Sequence, residues 1–254
     1  MKIVTLMENT RCREDLCCEH GLSLYIETGD HKILFDAGQS AAFAENAETL
    51  GVDLQCVDFA VLSHGHYDHG GGLGKFLEIN GQAPVYVSAH AFAPHFSQNG
   101  YIGLETSLQD SNRMIFISEA TVLAEGITLY RLDCGPMDTA GLEMEEAGIR
   151  KPDDFRHEQY LLLEEAGKRI LISGCSHKGI LNIMEAFQPD ILVGGFHFMK
   201  ITEEAWLKAA AETLLSYDTV YYTGHCTGQT QYDYLKSIMG DRLHYIAAGT
   251  ILEL

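Results

Sequence analysis

Short apolar, β-rich runs recur along the chain at residues 3–6, 22–26, 33–35, 59–62, 85–87, 127–132, 160–163, 170–172, 191–193, 220–222 and 243–246. Each is bounded by turn-forming or charged residues, the pattern of buried strands. Between them, residues 40–50, 180–187, 203–216 and 229–239 return an apolar side chain every three or four positions, with Ala, Leu, Met and Glu dominant. That period predicts amphipathic helices. Strands mixed with helices throughout imply an α/β chain whose sheets are covered by helices.

The ends of the apolar runs are more telling. Leu62 leads to Ser63-His64, Ile172 to Ser173-Gly174-Cys175-Ser176-His177, Val193 to Gly194-Gly195-Phe196-His197, and Tyr222 to Thr223-Gly224-His225. Four strands therefore deliver a histidine after a short turn, which lets rigid sheets hold polar groups at loop positions. The glycines at 70–72, 179 and 228 stand where helices begin. They fit either anion binding by backbone N–H groups or simple tight turns.

Composition narrows the partner. The chain has 254 residues with 17 basic against 36 acidic side chains, a formal charge of -19. Nucleic acid and anionic membranes are bound chiefly through Lys and Arg, so a small-molecule partner is expected instead. No Pro-, Ser- or charge-rich linker divides the sequence, which favours one domain over residues 1–254; the oligomeric state is left open. The start of the chain lacks the long apolar core of a secretory signal, and seven cysteines, an odd number, suit a reducing cytoplasm. Cys12, Cys17 and Cys18 match no standard cluster spacing and read as ordinary loop thiols.

The densest chemistry is His64-Gly65-His66-Tyr67-Asp68-His69, three imidazoles and a carboxylate in six residues. In an extended segment His64 and His66 point to one side and can share an ion. Asp68 and His69 can turn to a second ion. Imidazole with carboxylate suits zinc, with iron or manganese as the other candidates.

This His-x-His-x-Asp-His run after a buried strand resembles the metallo-β-lactamase superfamily. Glu19-His20-Gly21-Leu22-Ser23, Leu34-Phe35-Asp36-Ala37-Gly38, Gly174-Cys175-Ser176-His177, Gly194-Gly195-Phe196-His197 and His225-Cys226-Thr227-Gly228 extend the likeness over nearly the whole chain. Together they resemble a branch that includes archaeal dihydropteroate-synthase-like enzymes. The resemblance implies an αββα sandwich with two divalent ions, one held by His64, His66 and His177, the other by Asp68, His69 and His225. Cys175 stands where many members carry a bridging Asp; as a thiolate it would bind metal, and as a thiol it would merely be buried. Glu158 and Gln159 echo an acidic-Glu-Gln stretch of the branch, with His157 in place of its usual Asp.

Asp36 is placed to orient a ligand histidine through its second nitrogen, or else to form a turn. His197 is a candidate proton donor or substrate contact, with a packed histidine as the plain alternative. Glu19 and His20 fall near the site mouth by resemblance, while His31, His90, His95 and His244 read as structural or surface residues. The chemistry implied is hydrolysis of a small ester, lactone, thioester or phosphoester by a metal-activated hydroxide that Asp68 orients. The alternatives are metal-dependent transfer displacing diphosphate from a dihydropterin diphosphate, and a metal or redox sensor without turnover. Transfer would call for a basic pocket, for which Lys75, Arg113, Arg150, Lys151, Lys178 and Lys200 are the candidates.

Overall fold

The computed structural model describes residues 1–134 and 141–254. Two compact units emerge, the first from Met1–Glu119, Gly141–His157 and Ala247–Leu254, the second from Ala120–Ala140 and Glu158–Ile246.

The first unit is built on a seven-stranded sheet in the order Ile251–Glu253, Lys2–Met7, Ser23–Glu27, Lys32–Phe35, Phe59–Val61, Val85–Ser88, Met114–Ile117. The first four strands pair antiparallel and the last four parallel, with Leu34 opposite Ala60 and Ala60 opposite Val85. The central strands are continuous apolar runs because both their faces are covered. Helices Ala42–Thr49 and Leu73–Ile79 bring Phe43, Ala47, Leu73 and Phe76 onto one core with Val4, Leu6, Leu34 and Val85. A separate antiparallel sheet runs Ile149–Pro152, Glu143–Glu146, His95–Ser97, Gly100–Tyr101.

The second unit repeats the plan. Its seven strands run Leu243–Tyr245, Val220–Thr223, Ile191–Val193, Lys168–Ile172, Tyr160–Glu165, Ile127–Tyr130, Thr121–Ala124. The first four are parallel and the rest antiparallel. Helices Ile180–Phe187, Glu204–Leu215 and Gln229–Met239 bury Ile183, Met184, Leu207, Leu214 and Leu235 with Leu171, Leu192 and Tyr221. Parallel strands need crossovers of a dozen or so residues, which these helices supply. Among the described residues no helix is long and apolar enough to cross a membrane.

The four predicted helices and eleven predicted strands form within a few residues of their expected bounds. Strands Glu143–Glu146 and Ile149–Pro152 escape a reading by apolar runs, because charged residues dominate both. The turn between them sets their pairing: Ala147 and Gly148 both take positive φ, 53° and 78°, as a two-residue hairpin turn requires.

Candidate metal centre

The first unit's site begins where two parallel neighbours, Lys32–Phe35 and Phe59–Val61, end. Open sheets of this kind collect ligands at the carboxyl ends of such strands. Asp36 leaves the first with a left-handed φ of 58°, and Ser63 comes just after the second. The Asp36 carboxylate accepts the Ser63 backbone N–H at 2.7 Å through Oδ1, and the Ser63 hydroxyl at 2.7 Å through Oδ2. His69 Nδ1 donates to the same Oδ2 at 2.6 Å, and His64 Nδ1 lies 2.8 Å from the Ser63 hydroxyl.

Proton counting fixes both rings. An ionised carboxylate only accepts, so the Ser63 proton goes to Asp36 and the Ser63 oxygen accepts from His64 Nδ1–H. His69 likewise carries its proton on Nδ1. Each ring keeps a lone pair on Nε2, the tautomer that a metal ligand needs. One carboxylate thus sets two histidines, and Asp36, His64 and His69 are all essentially unexposed.

His66 is buried too, and burial holds its pKa well below the usual imidazole range, so it is neutral at pH 7. Asp68 sits in the single helical turn Tyr67–Gly70, where its Oδ2 is 3.2 Å from His20 Nε2 and 3.8 Å from His69 Nε2. His20 is therefore at the site, with 43% of its side chain exposed. Glu19 turns elsewhere: it accepts the Ser40 N–H at 3.0 Å and the Ser40 hydroxyl at 2.7 Å, anchoring the loop that leads into helix Ala42–Thr49. The motif's backbone is packed tightly. A Cβ on Gly65 would stand 2.1 Å from the Ala91 carbonyl oxygen, so glycine is required there for close approach.

The second unit gathers its own candidates after strands Lys168–Ile172, Ile191–Val193 and Val220–Thr223. Cys175, His225 and Cys226 are buried, with one donor atom of each within 4.8 Å of the others. Cys226 Sγ donates to the Cys175 carbonyl at 3.5 Å. The rings of His177 and His197 lie 4.4 Å apart, centroid to centroid, His177 buried and His197 half-buried. Ser176, His197 and His225 all take positive φ, 60°, 57° and 50°, conformations unusual for residues with side chains and characteristic of functional loops.

Glu158 holds the His177 turn. Its carboxylate accepts the backbone N–H of His177 at 2.6 Å and of Lys178 at 2.9 Å, and the Tyr160 hydroxyl donates to it as well. Burial raises the pKa of Glu158 against these hydrogen bonds.

Other expectations resolve differently. Cys12, Cys17 and Cys18 are free, exposed thiols, absent from the groups of donor atoms close enough to share an ion among the described residues. Of the basic candidates, Lys75 pairs with Glu78, Arg113 donates to the Leu77 carbonyl, Arg150 lies over Phe96, Lys151 pairs with Glu146, and Lys178 donates to the Cys134 carbonyl. These contacts tie the cations to their own units. Sequence reasoning missed one group entirely: Asp153, His95 and His157 pack around His66. His95 stands 58 residues from Asp153, so no local spacing joins it to Asp153 and His157.

A sheet that delivers oriented, neutral histidines and a carboxylate at its strand ends defines a metal-binding protein. The chain belongs to the metallo-beta-lactamase superfamily, whose family model matches residues 18–225. Its fold is that of the superfamily. The crystal structure of Tm1679, a metal-dependent hydrolase of the beta-lactamase superfamily, superposes with a TM-score of 0.85 and 28% identity, covering 100% of this chain and 99% of that one. Zn(2+)-bound PqqB from Methylobacterium extorquens shares the fold at a TM-score of 0.65 and 13% identity, over 100% of both chains. In sequence, an uncharacterized protein of Methanocaldococcus jannaschii is 30% identical over 89% of this chain and 90% of its own length. The 7,8-dihydropterin-6-methyl-4-(beta-D-ribofuranosyl)-aminobenzene-5'-phosphate synthase of the same organism is 27% identical over 100% of this chain and 96% of its own.

Proposed function

We propose that this protein is a metal-dependent hydrolase of a small ester, lactone, thioester or phosphoester. The observation that carries the reading is the Asp36 arrangement, which leaves His64 and His69 with metal-ready lone pairs. The donor set fits zinc or a similar divalent ion: neutral imidazoles from His64, His66 and His69 with the Asp68 carboxylate. When bound, such ions polarise a substrate oxygen and make water more acidic.

The chain's own groups supply the proton handling. Asp68 orients the attacking water and takes its proton, and His20, 3.2 Å from Asp68, carries that proton toward solvent. His197 donates a proton to the leaving group. Likeness to Tm1679, described as a metal-dependent hydrolase, supports hydrolysis. The test is a panel of small esters, lactones, thioesters and phosphodiesters with chelated protein reloaded with zinc or manganese. Turnover that returns with metal and disappears in Asp68→Asn is expected; no turnover of any class sinks the reading.

A second reading, displacement of diphosphate from a dihydropterin diphosphate, draws on the 27% identity to the synthase. The engagement of Lys75, Arg113, Arg150, Lys151 and Lys178 within their own units counts against it. Release of pyrophosphate from that substrate by the zinc-loaded protein would revive it.

A further inference from the structure

Past the strand Phe59–Val61 the buried backbone N–H groups of the histidine motif need acceptors outside the ladder, since a buried donor left unpaired is costly. Leu62 donates to the Tyr86 carbonyl at 3.0 Å, and Ser63 to Asp36 Oδ1 at 2.7 Å. Gly65, between two candidate ligands, donates to Nδ1 of His157 at 2.8 Å. His157 belongs to the segment after the strand Ile149–Pro152, where Phe155 takes a left-handed φ of 50° and donates its N–H to Asp153 Oδ1 at 2.8 Å. That turn brings His157 back onto Asp153. Its Nε2 is 3.3 Å from Asp153 Oδ2, which also accepts from His95 Nδ1 at 2.7 Å.

Proton counting gives His157 a role other than ligation. The ring presents a lone pair to the Gly65 N–H, so Nδ1 is bare and Nε2 carries the proton that Asp153 accepts. Both nitrogens are engaged, and neither is left for an ion. His157 and Asp153 are buried, so water does not compete for these bonds. Two further donors, the Phe155 N–H and His95 Nδ1–H, hold the Asp153 carboxylate in place. The carboxylate in turn keeps His157 in one tautomer and one orientation, with its ring 5.8 Å from that of His64 and 5.3 Å from that of His66, centroid to centroid.

We propose that His157 is a positioning residue of the metal centre, fixing the backbone between His64 and His66 through the Gly65 N–H. The proposal rests on the hydrolase reading of that motif and adds to it a residue 92 positions away in sequence. An anchor matters at this point because Gly65 alone separates the two ligands, and glycine has the greatest backbone freedom of any residue. Held by His157, that freedom is lost on folding, before an ion arrives, so the ligands are preorganised. Asp36 anchors the motif at Ser63, and His157 anchors it two residues further on.

The test compares His157→Leu and His157→Asn with wild type by the visible absorption of the cobalt(II)-loaded proteins, which reports coordination geometry, and by zinc affinity from chelator competition. Asn places Oδ1 where Nδ1 stands and accepts the Gly65 N–H; Leu has no acceptor. With circular dichroism as the folding control, His157→Leu is expected to shift the cobalt bands and to weaken zinc binding about 10- to 100-fold, and His157→Asn to restore both toward wild type. A wild-type spectrum and affinity in His157→Leu overturn the proposal, as does a His157→Asn protein impaired as far as His157→Leu. Wild type that takes up neither metal sinks the hydrolase reading and this proposal together, whereas an unchanged His157→Leu sinks this proposal alone. Imidazole nitrogen resonances of metal-free wild type give a measurement that needs no variant to fold. A proton on Nε2 of His157 with Nδ1 bare is expected, and a proton on Nδ1 overturns the proposal.

Discussion

The Oδ2 atom of Asp36 is 2.6 Å from Nδ1 of His69, and neither side chain has any solvent exposure. Through Ser63 the same carboxylate also sets the tautomer of His64. Removing it should free both rings to rotate and to exchange tautomers. Asp36→Ala is therefore expected to weaken zinc binding by about 10- to 100-fold, the usual cost of losing a group that orients a metal ligand. Competition against a chromophoric chelator measures it, and unchanged affinity would mean that Asp36 is only a turn residue.

His20 reaches Asp68 from a partly exposed position. As a proton carrier it should matter for turnover and not for metal retention. His20→Ala is expected to lower kcat on the order of 100-fold, within the range for lost general acid–base assistance, with zinc content unchanged. Metal loss in that variant would reassign His20 to the ligands.

Gly65 has no room for a side chain, since a Cβ would meet the Ala91 carbonyl oxygen at 2.1 Å. Backbone cannot move aside as a flexible side-chain end can. Gly65→Ala should cost about 1–3 kcal/mol, the range for overpacking, read as a lower denaturant midpoint with an unchanged slope. A midpoint equal to wild type would show that the motif loop shifts freely.

Tyr25 lies in the strand Ser23–Glu27, and burial, with the nearby Glu27 charge, pushes its pKa from 10.0 to about 12. Between those values the folded chain keeps a proton that the unfolded chain releases, so stability falls as pH rises. Its contribution is complete below pH 10 and is lost through about 12. Tyr25→Phe retains the ring and removes the titration, so its denaturation midpoint should fall less steeply across that window. Identical slopes for the two proteins would refute this.

Cys12, Cys17, Cys18 and Cys56 are exposed, Cys134 is intermediate, and Cys175 and Cys226 are buried. A thiol reagent should react promptly with the first four and reach Cys175 and Cys226 only on unfolding. Rapid labelling of Cys175 in the native protein, located by peptide mass analysis, would contradict its burial.

The local pattern of the sequence determined much of this protein. Buried strands need continuous apolar runs and helices a period near 3.6, so residues 59–62 and 180–187 announced their structure. The six-residue histidine motif was legible because its ligands are neighbours in the chain. Tertiary structure decided the rest. Asp36 meets His69 across 33 residues only because two parallel strands end side by side, which fixes the tautomers that spacing could not. The charged hairpin at Glu143–Glu146 and Ile149–Pro152 gave no apolar signal, and its pairing alone joins His95 to Asp153. Hydrogen bonds between residues far apart depend on register and packing, and no periodicity along the chain encodes them.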